Sequence, residues 1–171
     1  SIVKKAPGTY SSAKKQVDCT NGGKTVDLLS MPSALRDLII NDLDGNDIEH
    51  ITFNTPELDY LWLTGSQITS LDLTKMPKLR QLNIYDNVLL EALDLSHNPE
   101  LTYLDISFAE KIQNLDLSAT PKLTTLKAAQ TKLSTWDLSK VPLLTELDLS
   151  MTKIQSLDLS ALTRVQVIML P

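Results

Sequence analysis

Residues Trp136 to Ser156 read WDLSKVPLLTELDLSMTKIQS, and this stretch is one full turn of a unit that recurs along the chain. Its slots are an LxL triplet (Trp136 in the first leucine place, Leu138 in the second), a Ser, and a Pro at the seventh place. A Leu at the ninth, a second LxL from Leu147 to Leu149, and Ile154 near the end complete the turn. The first triplet returns at Leu71, Leu93, Leu115, Trp136 and Leu157, in steps of 22, 22, 21 and 21 residues. Six of the eight prolines keep the same register, at Pro32, Pro56, Pro77, Pro99, Pro121 and Pro142. A fixed period of this size means a solenoid, because one unit cannot bury its own apolar face and must stack on its neighbours.

Within each unit the alternation of leucine with a polar residue has the period of two of a half-buried strand, leucines inward and the middle residue outward. Two such triplets per coil predict two short strands. The proline between them has a fixed φ and no amide donor, which suits a bend outside any ladder. Six to seven coils are expected over residues 26–171, a stack of about 30 Å at ordinary strand spacing. The first coil, Val26 to His50, is the least regular, and its DLDGND segment should protrude. A competing reading makes residues 31–43 a capping helix, with Ser30 as N-cap, Pro32 in the first turn, and Leu35, Leu38 and Ile39 on one face. The degenerate repeat is preferred. Residues 1–25 carry no repeat and are expected to form an N-terminal cap or hairpin that ends in the turn Asn21, Gly22, Gly23.

Leu79 to Leu89, LRQLNIYDNVL, and Leu144 to Ile154, LTELDLSMTKI, resemble the leucine-rich-repeat strand signature LxxLxLxxNxL. The period and the LDLSxxPxL segment are similar to the compact bacterial branch, the secreted repeats of Bacteroidetes and, more loosely, the internalins. The resemblance implies an α/β-class leucine-rich-repeat solenoid, mostly short parallel strands and turns with little helix, in a right-handed curved superhelix. It also implies a secreted or surface-exposed bacterial protein. The family's Asn slot is filled here by Asn87 and, in a looser alignment, Asn46, while Ser66, Ala109, Thr131 and Thr152 occupy the others. The hydroxyls can still tether a turn, and Ala109 cannot.

In the family the second triplets line a concave face whose outward residues meet partners. On this chain they map to Tyr60, Trp62 and Thr64, to Gln81, Asn83 and Tyr85, and to Tyr103, Asp105, Ser107 and Phe108. Thr125, Lys127 and Ala129 follow, then Glu146, Asp148, Ser150 and Met151. Five of the chain's eight aromatic residues fall on this face, in three adjacent coils. Tyr and Trp combine rigid apolar area with a polar tip, which suits a protein hot spot or the face of a sugar ring. Stacking of the same rings on one another along the sheet is the structural alternative. The expected ligand face is Tyr60, Trp62, Gln81, Asn83, Tyr85, Tyr103, Asp105, Phe108 and Lys127. The expected activity is non-catalytic protein binding, with carbohydrate capture by the same aromatics as the runner-up.

Other chemistry finds little support. The formal net charge of -5 gives no positive field for nucleic acid or an anionic membrane and disfavours acidic partners. The only cysteine, Cys19, excludes an internal disulfide and a zinc knuckle, and leaves the redox compartment open. No apolar run reaches membrane-spanning length. The ladder Asp72, Asp94, Asp116, Asp137, Asp158 lacks the Gly-rich loop of a calcium site, so each Asp is expected to accept hydrogen bonds from its own turn, and no metal is expected. His50 and His97, in separate coils, do not compose a catalytic pair, and neither an enzyme nor a cofactor is expected. Trp136 is read as a packing residue. The apolar run from Val165 to Leu170 is a candidate edge for self-association, which a charge at Ile168 would disrupt.

Overall fold

The computed structural model describes residues 9–11, 16–18, 25–29, 33–41 and 48–171. Eleven strands are described: β1 (Thr9–Ser11), β2 (Gln16–Asp18), β3 (Thr25–Asp27), β4 (Asp37–Asn41), β5 (His50–Thr52), β6 (Tyr60–Thr64), β7 (Gln81–Asn83), β8 (Tyr103–Asp105), β9 (Thr125–Lys127), β10 (Glu146–Asp148) and β11 (Val167–Met169). Nine form one sheet in the order β1-β2-β4-β6-β7-β8-β9-β10-β11, and β3 pairs with β5 in a second. From β2 onward every pairing in the large sheet is parallel. β1 and β2 pair antiparallel. This is the solenoid that the repeat predicts, with helix limited, among the described residues, to two 3-10 turns at Leu73–Lys75 and Leu138–Lys140.

The register puts the central leucines in one column. Leu38, Leu61, Leu82, Leu104, Leu126, Leu147 and Ile168 are successive partners, and the first six are completely buried. Full burial of one such side chain stabilises by about 1.5–3 kcal/mol, so this column and the parallel one through Leu63, Ile84, Ile106, Ala128 and Leu149 carry much of the driving force. Residues 37–41 are strand β4 and not helix, because Leu38 and Ile40 alternate into the core and pair with β6, which a helical face through Leu35, Leu38 and Ile39 could not do. The DLDGND loop, Asn46, Cys19 and the Asn21-Gly22-Gly23 turn lie outside the described residues.

The expectation of two strands per coil holds only at the start, where β3 and β5 come from first triplets. From Leu71 onward the first triplet is not strand, although its middle Asp closes the same turn that Asp27 closes at the end of β3. The carboxylates of Asp72, Asp94, Asp116, Asp137 and Asp158 each accept the amide of the residue two places on, at 2.9–3.2 Å. An amide turned onto the carboxylate two residues back closes an Asx turn. Two of these turns continue as the 3-10 segments that Asp72 and Asp137 cap. The same bonds hold Asp72, Asp94, Asp116 and Asp158 below the usual carboxylate range, so like charges one coil apart are tolerated.

Three further ladders tie coil to coil. The amide nitrogen of Asn87 donates to Leu63 O (2.8 Å) and Ile84 O (2.9 Å), while its oxygen accepts from the Ser66 amide (3.1 Å) and the Ser66 hydroxyl. Thr131 and Thr152 donate only within their own turns, to Ala128 O and Leu149 O. Buried Asn98, just before Pro99, spans the preceding coil through Leu73 O and Met76 O. At the proline corner, Lys78 pairs with Glu57 (2.6 Å), Lys122 with Glu100 (2.7 Å), and Arg80 doubly with Asp59 (2.5 and 2.7 Å).

Candidate functional site

The outward residues of β6 to β10 form two rows across the sheet. One runs Tyr60, Gln81, Tyr103, Thr125, Glu146, and the other runs Trp62, Asn83, Asp105, Lys127, Asp148. The strands form because the leucines between these places alternate into a fully buried interior and pair in register from coil to coil. The expected residues thus share one face.

The aromatics resolve into three local arrangements. Tyr60 and Tyr103, half-buried, flank Gln81, and burial pushes both phenols above their ordinary value. The Lys127 ammonium lies 5.8 Å from the Tyr103 ring centre, within cation–π reach. Trp62 is 38% exposed and donates its indole N–H to Thr64 Oγ1 at 3.1 Å, which fixes the ring plane against the sheet. Tyr85, 37% exposed, meets Phe108 edge-on, with ring centres 5.1 Å apart at 70°. Both readings of the cluster therefore have a physical basis: Tyr85 packs on Phe108, and Trp62 keeps an open face.

Asn83 and Asp105 sit in the middle of the face with their oxygens already engaged. Asn83 accepts from the Tyr85 amide (3.1 Å) and Asp105 from the Ser107 amide (2.9 Å). Asp105 is buried, and desolvation outweighs its hydrogen bonds and Lys127, raising its carboxyl above the ordinary range. Asp148 repeats the arrangement with Ser150. These three close the strand ends; Asp105 is buried, Gln81 is exposed, and Asn83, Thr125, Lys127, Glu146 and Asp148 are half-buried on the same face. Phe108 stands with Gly65, Asp86, Gln130 and Met151 in a register slot of positive φ, 52° to 69°. Only Gly65 signals this in the sequence.

Among the described residues no group of three or more His, Cys, Asp or Glu could hold a metal, and no helix is long and apolar enough to cross a membrane. His97 is exposed beside Ser96, and His50 is exposed on β5. Trp136 is half-buried against the core as a packing residue, with its indole nitrogen buried and unpartnered. Sequence reasoning missed the charge ladder at the proline corner, although Glu57, Lys78, Glu100 and Lys122 alternate in sign once the period is applied. It also missed the lysines Lys111, Lys132 and Lys153 beyond the strand ends, which recur every 21 residues, four places before Leu115, Trp136 and Leu157.

No family model matches the chain, and no curated protein does. Solved structures do. The functional domain of InlJ from Listeria monocytogenes, which includes a cysteine ladder, is 26% identical with a TM-score of 0.69, over 90% of this chain and 38% of its own. A leucine-rich-repeat protein of Leptospira interrogans is 19% identical with a TM-score of 0.71, over 92% of this chain and 43% of its own. Internalin C2 of L. monocytogenes is 20% identical with a TM-score of 0.55, over 92% of this chain and 80% of its own. The chain thus spans about two fifths of the length of the first two. With one cysteine it has no counterpart of the InlJ cysteine ladder. Repeat, parallel solenoid and structural likeness together make this chain a leucine-rich-repeat protein, similar to those of bacteria.

Proposed function

We propose that the chain is a non-catalytic protein-binding module that uses the concave strand face of a secreted or surface-exposed bacterial protein. The observation that carries this is the exposure of Trp62 and Tyr85, large aromatics on a face bearing five of the chain's eight. Exposed aromatic surface of this kind is characteristic of contact sites. Tyr60, Trp62, Gln81, Tyr85, Tyr103, Phe108 and Lys127 supply the contact, while Asn83 and Asp105 position the strand ends beneath it. The likeness to InlJ and internalin C2 supports surface exposure, and the LDLSxxPxL repeat supports a compact, Bacteroidetes-like type. Residues 1–25 act as the N-terminal cap and 26–171 as the binding solenoid.

The test is binding of the purified chain to paired panels of candidate surface proteins and glycans, with Trp62→Ala and Tyr103→Ala alongside. One protein signal lost in both variants and indifferent to free sugars supports the proposal. Competition by oligosaccharides moves the face to carbohydrate capture, and binding untouched by either substitution removes the face from consideration. A second reading, self-association, is favoured by the exposed Val167, Met169 and Leu170 on and beside β11. Concentration-dependent sedimentation abolished by Val167→Lys would establish it.

A further inference from the structure

Among the described residues the solenoid's cations divide into those ion-paired between coils and those that are not. At the proline corner Arg36, Lys78, Arg80 and Lys122 are all paired with carboxylates of adjacent coils. Beyond the opposite ends of the strands, Lys111, Lys132 and Lys153 occupy one slot of three successive coils. All three are exposed, and none has a carboxylate within ion-pair distance among the described residues. Successive strands stack about 4.8 Å apart, so this is a column of like charge, with Glu91 and Glu110 beside it but not ion-paired to it. The chain's net charge of -5 is a sum over the surface and does not see this segregation.

The column runs beside two open grooves. The larger, about 650 Å³, is lined by Lys111 and Lys132 together with the amides Gln113 and Asn114 and the hydroxyl of Ser134. Glu91 and Glu110 also reach it, as acceptors, and Gln130 Nε2 donates to Glu110 Oε1 at 2.9 Å. The smaller, about 160 Å³, continues along the coils between Lys132 and Lys153, past Gln130 and Met151. Lys132 and Glu110 are common to both. Donors, acceptors and spaced cations in a polar groove call for a ligand that is rich in hydroxyls as well as anionic.

We infer that this edge is a second binding site, separate from the concave face, for an acidic oligosaccharide lying along the solenoid axis. Lys111, Lys132 and Lys153 meet carboxylates or sulfates on successive sugars. Gln113, Asn114, Ser134 and the two glutamates exchange hydrogen bonds with hydroxyls between them. An acidic peptide could also donate to Glu91 and Glu110, through its backbone amides, but the larger groove gives its side chains no apolar anchor.

The test is calorimetric titration of the chain, at low ionic strength, with hexagalacturonate and with a sulfated hexasaccharide, the two arms distinguishing the anion. A neutral cello-oligosaccharide and poly-glutamate are run as comparisons. Binding to one anionic sugar is expected, with none to the neutral sugar and binding to poly-glutamate at least about tenfold weaker. Lys111→Gln/Lys132→Gln/Lys153→Gln should weaken it at least about tenfold, and added salt should weaken it too. Lys75→Gln/Lys140→Gln, which removes charge from the Asp-turn side, and Trp62→Ala should leave it unchanged. Lys132→Gln alone should give part of the loss, so the result does not depend on the triple variant folding. Absence of binding to both anionic sugars, equal binding of poly-glutamate, or equal loss in the two lysine sets would overturn the inference.

Discussion

Asn87 offers the sharpest test of what holds the coils together. The side chain is completely buried and makes four hydrogen bonds, two to carbonyls of adjacent coils, one from the Ser66 amide and one from its hydroxyl. Asn87→Ala leaves the Leu63 and Ile84 carbonyls and the Ser66 amide without that partner in a dry interior. At a net value of about 1 kcal/mol per bond the loss is about 4 kcal/mol. Thr131 occupies the same slot two coils later with one bond, to Ala128 O of its own turn at 3.0 Å. Thr131→Val should therefore cost about 1 kcal/mol. Urea denaturation followed by far-UV circular dichroism reads both, as midpoint shifts at constant m. A lowered m in Asn87→Ala would mean that the coils on either side unfold separately, which also fits a broken tie between neighbours. An Asn87→Ala loss no larger than that of Thr131→Val, at unchanged m, would refute the argument that one amide clamps two coils.

Met151 is 62% exposed at φ 54°, so Met151→Gly removes the clash of a left-handed side-chain-bearing residue at little packing cost. A gain of up to about 1 kcal/mol in the same denaturation assay is expected, reduced by glycine's greater freedom in the unfolded chain. The Asp59 carboxyl is held below its ordinary value of 3.8, first by the Arg80 hydrogen bond. Its stability contribution is therefore complete above 3.8 and is lost as pH falls through the lower folded value. Arg80→Gln should flatten that acid-side loss in thermal melts from pH 2 to about 6. Asp105 has the opposite sign. Burial raises its carboxyl, so its contribution is greatest below 3.8 and declines as pH rises through the higher folded value. Asp105→Asn keeps an acceptor for the Ser107 amide, and at neutral pH it should be at least as stable as the parent while losing this pH dependence. A clear destabilisation at pH 7 would show that the Asp105 charge is worth more to Lys127 than its desolvation costs.

The solenoid, the inward leucine columns and the aromatic face were legible because they rest on information local to each coil. A period of two decides which side chains enter the core, and a fixed repeat stacks like on like, so Leu82 and Leu104 must meet. The Asp turns were legible for the same reason, as contacts spanning two residues. What the sequence did not disclose depends on peptide geometry and on contacts between coils. That the later coils keep only one strand, although Asp27 in β3 closes the same turn as Asp72, became evident only from the backbone pairing. That Asn83 and Asp105 are spent on the backbone, while Trp62 keeps an open face, is a matter of side-chain direction within a shared row. The left-handed slot at Asp86, Phe108, Gln130 and Met151 carries no common residue type, because the requirement falls on the backbone alone. Lys111, Lys132 and Lys153 align in the sequence, every 21 residues, but that Lys78 and Lys122 find carboxylates in the neighbouring coil while these three, among the described residues, do not depends on which side chains meet between coils. The repeat alone determined the stacking; only the tertiary structure decided which charges were left facing water, because neutralisation happens between coils and not along the chain.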